Sequence, residues 1–238
     1  SRRGCGRSGS SRTTIGLSYQ GLGLFAEAEP HLARALELCR SEHGERDEQT
    51  LCAALRLNRL LYDQGRYEEV EQRGHETLAR CRVALGNDHL ATWVAENELG
   101  TTLTRLGAFE EADRLLCEIL DRASAAGKSA ALADPSSLSL TLGRTSGQDE
   151  VASVENCAAI ARRNLALNDL YWGKVEAAEA RYREVLEELR RLRGDDAPDT
   201  LLAMDDYAFV LLEQQNYAEA ERVHDELVET SDRVFGEN

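Results

Sequence analysis

The 238-residue chain has few aromatic residues, 5% of the total, and only three prolines. It also lacks a basic excess: 28 lysines and arginines stand against 43 acids, a net charge of −15. That balance disfavours a nucleic-acid partner, because phosphate contact needs a basic face that displaces counterions. Adhesion to an anionic membrane surface is disfavoured on the same ground. No run approaches the roughly 20 apolar residues of a membrane-spanning helix, and no apolar segment follows the N-terminal arginines as a secretory leader requires. Catalytic patterns are missing as well. There is no H-E-x-x-H and no G-x-S-x-G. Gly127-Lys128-Ser129 ends like a phosphate loop, but Arg122 stands where its leading glycine belongs. Gly21-Leu22-Gly23 lacks the third glycine of a dinucleotide fingerprint. The six cysteines, at 5, 39, 52, 81, 117 and 157, form no C-x-x-C pair, and no histidine joins them at zinc spacing. The pairs Glu68-Glu69, Glu110-Glu111 and Glu187-Glu188 read as solvated helix faces, the last pairing with Arg190 and Arg191. The expectation is a non-enzyme without cofactor or metal. Scattered thiols and the absence of an N-x-[S/T] sequon point to a reducing, cytoplasmic compartment.

What the chain does have is internal periodicity. Gly23, Gly65 and Gly107 are 42 residues apart, and Phe25, Tyr67 and Phe109 follow at the same step. Gly173 and Val175 come after 66 residues, one period with 24 inserted, and Tyr217 lies 42 beyond Val175 with Gln215 in the glycine slot. Gly44, Gly86, Gly194 and Gly236 keep the same register, as do Thr50, Thr92 and Thr200. Each unit reads as two helices broken by a turn glycine, which takes turn conformations without steric cost. Small residues recur early in the second helix at 28, 70, 112, 178 and 220, where two helix backbones can approach closely. Leu36, Leu78, Leu120, Leu186 and Val228 mark the face that helix turns to its neighbours. His89 sits in a loop slot and reads as a turn residue, and Trp93 and Trp172 read as packing residues.

The run Gly65-Arg66-Tyr67-Glu68-Glu69-Val70-Glu71 resembles the G-x-Y-x-E-A-E core of tetratricopeptide repeats, as do 23–29, 107–113 and 216–221. The 42-residue period and the closing segments at 85–92 and 193–200 resemble the long variant found in kinesin light chains. The stretch from Thr14 to Leu36 is similar to first repeats attached to bacterial serine/threonine kinases. The resemblance implies an all-α solenoid of about five stacked helix-turn-helix repeats. The expected boundaries are a flexible N-terminal segment over 1–12, then a repeat domain over 13–238. Its repeats run over about 13–50, 51–92, 93–125, 155–200 and 201–238. The insertion at about 126–149 predicts a mobile surface loop, with a flap beside the groove as the alternative. Gly74 and Asp169 depart from the family pattern and predict looser packing in units two and four.

The resemblance places function on the concave face lined by the first helices. Arg59, Tyr62 and Asp63 are placed there from unit two, and Asn97, Thr101, Thr104 and Arg105 from unit three. Arg163 and Tyr171 follow from unit four, and Asp205, Phe209 and Glu213 from unit five, with Leu55 and Leu167 pointing the same way. Arginine forks suit carboxylates, and asparagine suits a peptide backbone. The expected role is a non-catalytic scaffold that binds a peptide or partner protein in this groove. Kinesin light chains bind short cargo peptides in the same place. An alternative is a regulatory segment of a larger signalling protein such as a serine/threonine kinase, acting in cis. The arginines have a second reading too, as charges that only balance nearby acids. The last unit stops on the repeat boundary without a polar capping helix. It predicts that the chain is a fragment or that another surface, including a second copy, covers that end.

Overall fold

The computed structural model describes residues 5–126 and 154–236. Ten helices are present among them: α1 (Cys5–Gly21), α2 (Phe25–His43), α3 (Glu48–Asp63), α4 (Tyr67–Ala84), α5 (Leu90–Leu106), α6 (Phe109–Ala126), α7 (Val154–Tyr171), α8 (Val175–Arg193), α9 (Pro198–Glu213) and α10 (Tyr217–Phe235). No strand occurs among the described residues. The helices pair in chain order into five antiparallel hairpins, and the next hairpin's first helix packs against each second helix. The inner first helices also meet directly, α3 on α5 and α5 on α7. Because α7 packs on both α5 and α6, the stack continues across the insertion. The insertion lies outside the described residues apart from Ala126, as does Gly127-Lys128-Ser129.

The turns explain the periodic glycines. Gly23, Gly65, Gly107 and Gly173 sit at φ between 74° and 81°, a left-handed conformation that glycine takes without strain. The residue after each glycine donates back five positions, as Arg66 does to Leu61 O at 3.0 Å and Ala108 to Leu103 O at 2.9 Å. The fifth turn makes the same bond, Asn216 to Leu211 O at 2.9 Å, so Gln215 is forced to φ 61°. The connections between repeats use a second device. Thr92 donates its hydroxyl to Gly86 O at 2.7 Å, and Thr200 to Gly194 O at 2.8 Å. His89 accepts the Ala91 N–H at the start of α5 and is the turn residue expected of it.

Packing follows from residue size. Ala28, Val70, Ala112, Ala178 and Ala220 are buried where hairpin partners approach. Gly16 and Gly100 serve the first helices likewise: a Cβ on either would lie under 3 Å from Leu32 or Leu116. Leu36, Leu78 and Leu186 are buried, each covered by the following repeat, whereas Val228 in the last repeat is 46% exposed. Cys81 and Cys157 are buried, and burial pushes both thiols up to about 12, so they behave as small hydrophobes. Trp93 is buried and Trp172 stacks on Phe109, as packing residues should.

Several expectations need correction. Helix α1 begins at Cys5, inside the 1–12 segment expected to be flexible. Each later first helix begins one to three residues ahead of the boundary expected for its repeat, at Glu48, Leu90, Val154 and Pro198. Gly74 and Asp169 do not loosen the stack. Leu99 fills the space beside Gly74, 3.2 Å from where a Cβ would stand. Asp169 is buried but pairs with Arg181 of α8 at 2.6 Å, which compensates its lost hydration. Glu188 pairs with Arg162 of α7, while Arg190 turns to Asp195 and Glu226 instead.

Candidate functional site

The inner face is built by α1, α3, α5, α7 and α9, and a single spacing organises it. Gln20 donates to Asp63 Oδ2 at 2.7 Å, Arg105 to the Tyr62 phenol at 3.2 Å, and Arg163 to Asp206 Oδ2 at 2.6 Å. All three pairs are 43 residues apart, one period plus one residue. Across the insertion the same relation gives Asn164 donating to Asn97 Oδ1 at 3.2 Å, 67 residues apart. Successive inner helices are thus laced together along the groove floor.

Three of the expected residues meet in the middle. Arg105 on α5 donates through Nε to Tyr62 on α3 and through Nη1 to Tyr171 on α7, and its guanidinium lies 5.0 Å from the Tyr171 ring centre. Arg59 pairs with Asp63 at 3.2 Å and lies 5.4 Å from the Tyr62 ring centre. Arg59 and Arg163 are therefore neutralised by carboxylates in the groove itself, as the charge-balancing reading expects. Arg105 has no carboxylate partner among the described residues and keeps guanidinium donors beyond those its two phenols use. Asp205, Phe209 and Glu213 lie exposed on α9.

Other expected residues are not at the groove surface. Asn97 and Thr104 are buried between α5 and α7. Asn97 donates to Cys157 O at 3.2 Å, Thr104 to Asn168 Oδ1 at 2.9 Å, and Asn168 to Phe109 O at 3.1 Å. Thr101 is half-buried, its hydroxyl donated to Asn97 O. Leu55 belongs to the core. Asn97 and Thr104 are thus consumed by the neighbouring helix α7, and the Thr101 hydroxyl by its own helix backbone.

Three residues missed from the sequence complete the floor: Gln20, Glu98 and Asp206. The signal was present as a column of polar residues in register, Arg56, Glu98, Asn164 and Asp206. In this column Asn164 meets Asn97 and Asp206 meets Arg163, but by the same spacing Glu98 stands opposite Leu55. The Glu98 Oε2 is out of contact with solvent and has no hydrogen-bond partner, and the Oε1 of Gln20 is in the same state. Burial pushes the Glu98 carboxyl up to about 8, with Arg59 pulling it down and Asp63 adding to the rise.

The Tetratricopeptide repeat family model matches residues 9–74, 50–125 and 156–237, and the chain belongs to that family. No curated protein sequence matches the chain significantly. Among solved structures it is similar to a putative kinesin light chain from Podosopora anserina, with nearly identical tetratricopeptide-like repeats. The TM-score is 0.63 at 16% identity, over 95% of this chain and 96% of that one. A single-substitution form of the same protein gives a TM-score of 0.65 at 16% identity, over 94% of each chain. BtubC (BKLC) from P. vanneervenii also gives 0.65 at 16% identity, over 100% of this chain and 92% of that one. Identities this low establish the fold alone. Tetratricopeptide repeats are generally protein–protein interaction modules.

Proposed function

We propose that this chain is a non-catalytic scaffold whose concave groove binds a peptide or peptide-like segment of a partner protein, with Arg105 anchoring a carboxylate of that ligand. The observation that carries the reading is the contrast among the groove arginines. Arg59 and Arg163 each have an aspartate, whereas Arg105 is held open by two tyrosines on the helices beside it. Such a guanidinium is pre-positioned, so less side-chain entropy is lost when a carboxylate docks. A reducing cytoplasm suits the unpaired state of Cys39, Cys52, Cys81, Cys117 and Cys157. The test is selection from a phage-displayed random peptide library on the immobilised chain. Enrichment of aspartate or glutamate that disappears with Arg105→Gln supports the reading. Peptides that bind both proteins equally overturn it.

Self-association belongs to the same reading, with a second copy covering the last repeat. Leu202, Phe209, Leu212 and Val228 are exposed there, at positions more covered in the interior repeats. Residues 198–238 carry eleven acids against two arginines, and residues 1–12 carry four arginines and no acid, so the two ends attract. Sedimentation at rising concentration should show assembly that Val228→Asp abolishes. A monomer at all concentrations overturns this part.

A further inference from the structure

The groove floor is a ladder of paired polar groups with one rung left open. Arg163 bonds to Asp206, and Asn97 to Asn164, each one period and one residue further on, but the residue at that same step before Glu98 is Leu55, a core side chain with no polar group. The remaining neighbours do not close the gap. Arg59 is engaged by Asp63, and Asp63 is held from its other side by Gln20. Gln20 is 7% exposed, and its Oε1 is left as a second buried acceptor without a partner. The amide orientation is fixed by the carboxylate it serves, since the reverse would set two acceptors against each other. One stretch of floor across α1, α3 and α5 therefore carries two buried oxygens without a hydrogen-bond partner. Buried polar groups in a folded protein ordinarily find a partner.

We infer that a hydrogen-bond-donating cation, the lysine or arginine side chain of a bound peptide, docks at Glu98 and supplies the missing donor. This deepens the scaffold reading above and rests on it, because Arg105 lies on the same helix. Glu98 and Arg105 are seven residues apart on α5, a rise of about 10 Å. An extended peptide covers that distance in about three residues. The ligand class is thus a segment with a basic residue and an acidic residue about three positions apart, the first at Glu98 and the second at Arg105. The charges acting on Glu98 are Arg59 and Asp63 of α3, and on α7 Arg163 is held by Asp206. Binding of the cation ionises Glu98, and the carboxyl proton passes to solvent.

The same peptide library distinguishes this inference from the reading it rests on. Wild-type protein is expected to select peptides with lysine or arginine about three positions from aspartate or glutamate. Glu98→Gln is expected to lose the basic preference and keep the acidic one, and Arg105→Gln to do the reverse. A selected peptide should bind Glu98→Gln about tenfold more weakly or worse. Its binding to wild type at pH 7, followed by calorimetry in buffers of different ionisation enthalpy, should show proton release that is absent in Glu98→Gln. A melting curve of that variant at least as high as wild type separates lost binding from lost fold. An acidic preference alone, or a basic preference unchanged by Glu98→Gln, overturns the inference and leaves the scaffold reading standing. Loss of both preferences, or no binder at all, overturns both.

Discussion

The guanidinium of Arg105 donates to the phenol oxygen of Tyr62 at 3.2 Å, and the two residues lie 43 positions apart in the chain. With Tyr171 on its other side, one side chain spans three consecutive inner helices. Arg105→Lys should therefore be more damaging than its conserved charge suggests, because an ammonium has no planar fork to hold two phenols and a ligand together. The expected loss for a selected acidic peptide is about tenfold, measured by fluorescence anisotropy, with Arg105→Gln losing more.

Gln215 holds a turn that the other four repeats give to glycine. A left-handed residue with a side chain costs roughly 1–2 kcal/mol, part of which glycine returns through its freer unfolded state. Gln215→Gly should raise stability by about 0.5–1 kcal/mol in urea titration, whereas Gly65→Ala should lower it by at least that much.

Glu98 predicts a pH dependence with a definite sign. Its folded carboxyl titrates at about 8 against an ordinary value of 4.5. Between those values the folded chain holds a proton that the unfolded chain has released, so this group's contribution to stability falls as pH rises through that window. Below the ordinary value and above the folded one it adds no slope. Glu98→Gln should flatten the profile and raise stability at about pH 8 by about 1–3 kcal/mol, with little change at about pH 4. Chemical denaturation across pH checks this.

Asn97→Ala should cost about 2 kcal/mol, since it strands the Asn164 amide and the Cys157 carbonyl in a buried seam. Affinity for a selected peptide should stay within about twofold if the fold is kept. A large affinity loss at unchanged stability would return Asn97 to the groove surface.

The architecture was legible because backbone geometry demands particular residues at fixed intervals. The turn glycines, the hairpin alanines and the 42-residue step are each forced by a local conformation or a close contact. The floor of the groove was legible only in part. Helix register places Asn97, Thr104, Arg105 and Arg163 on one face, but it does not say how near the next helix lies. Where α7 presses on α5, asparagine and threonine become internal fasteners. Toward the helix end, beside the half-exposed Tyr171, arginine stays open. Both readings of Arg163 stayed open because its aspartate is one period and one residue away in the chain, a relation visible only once neighbouring helices are set side by side. Glu98 was passed over because nothing local distinguishes it from the many acids on outer faces.

A superhelix of stacked hairpins deforms like a spring, and apolar contacts alone let its coils slip. The amide seam from Asn97 through Asn164, with Thr104 and Asn168 beside it, is directional and tolerates little sliding. That seam joins the two helices that carry Arg105 and Tyr171. Sliding at the contact between α5 and α7 is thereby opposed, and Tyr171 keeps its place beside Arg105.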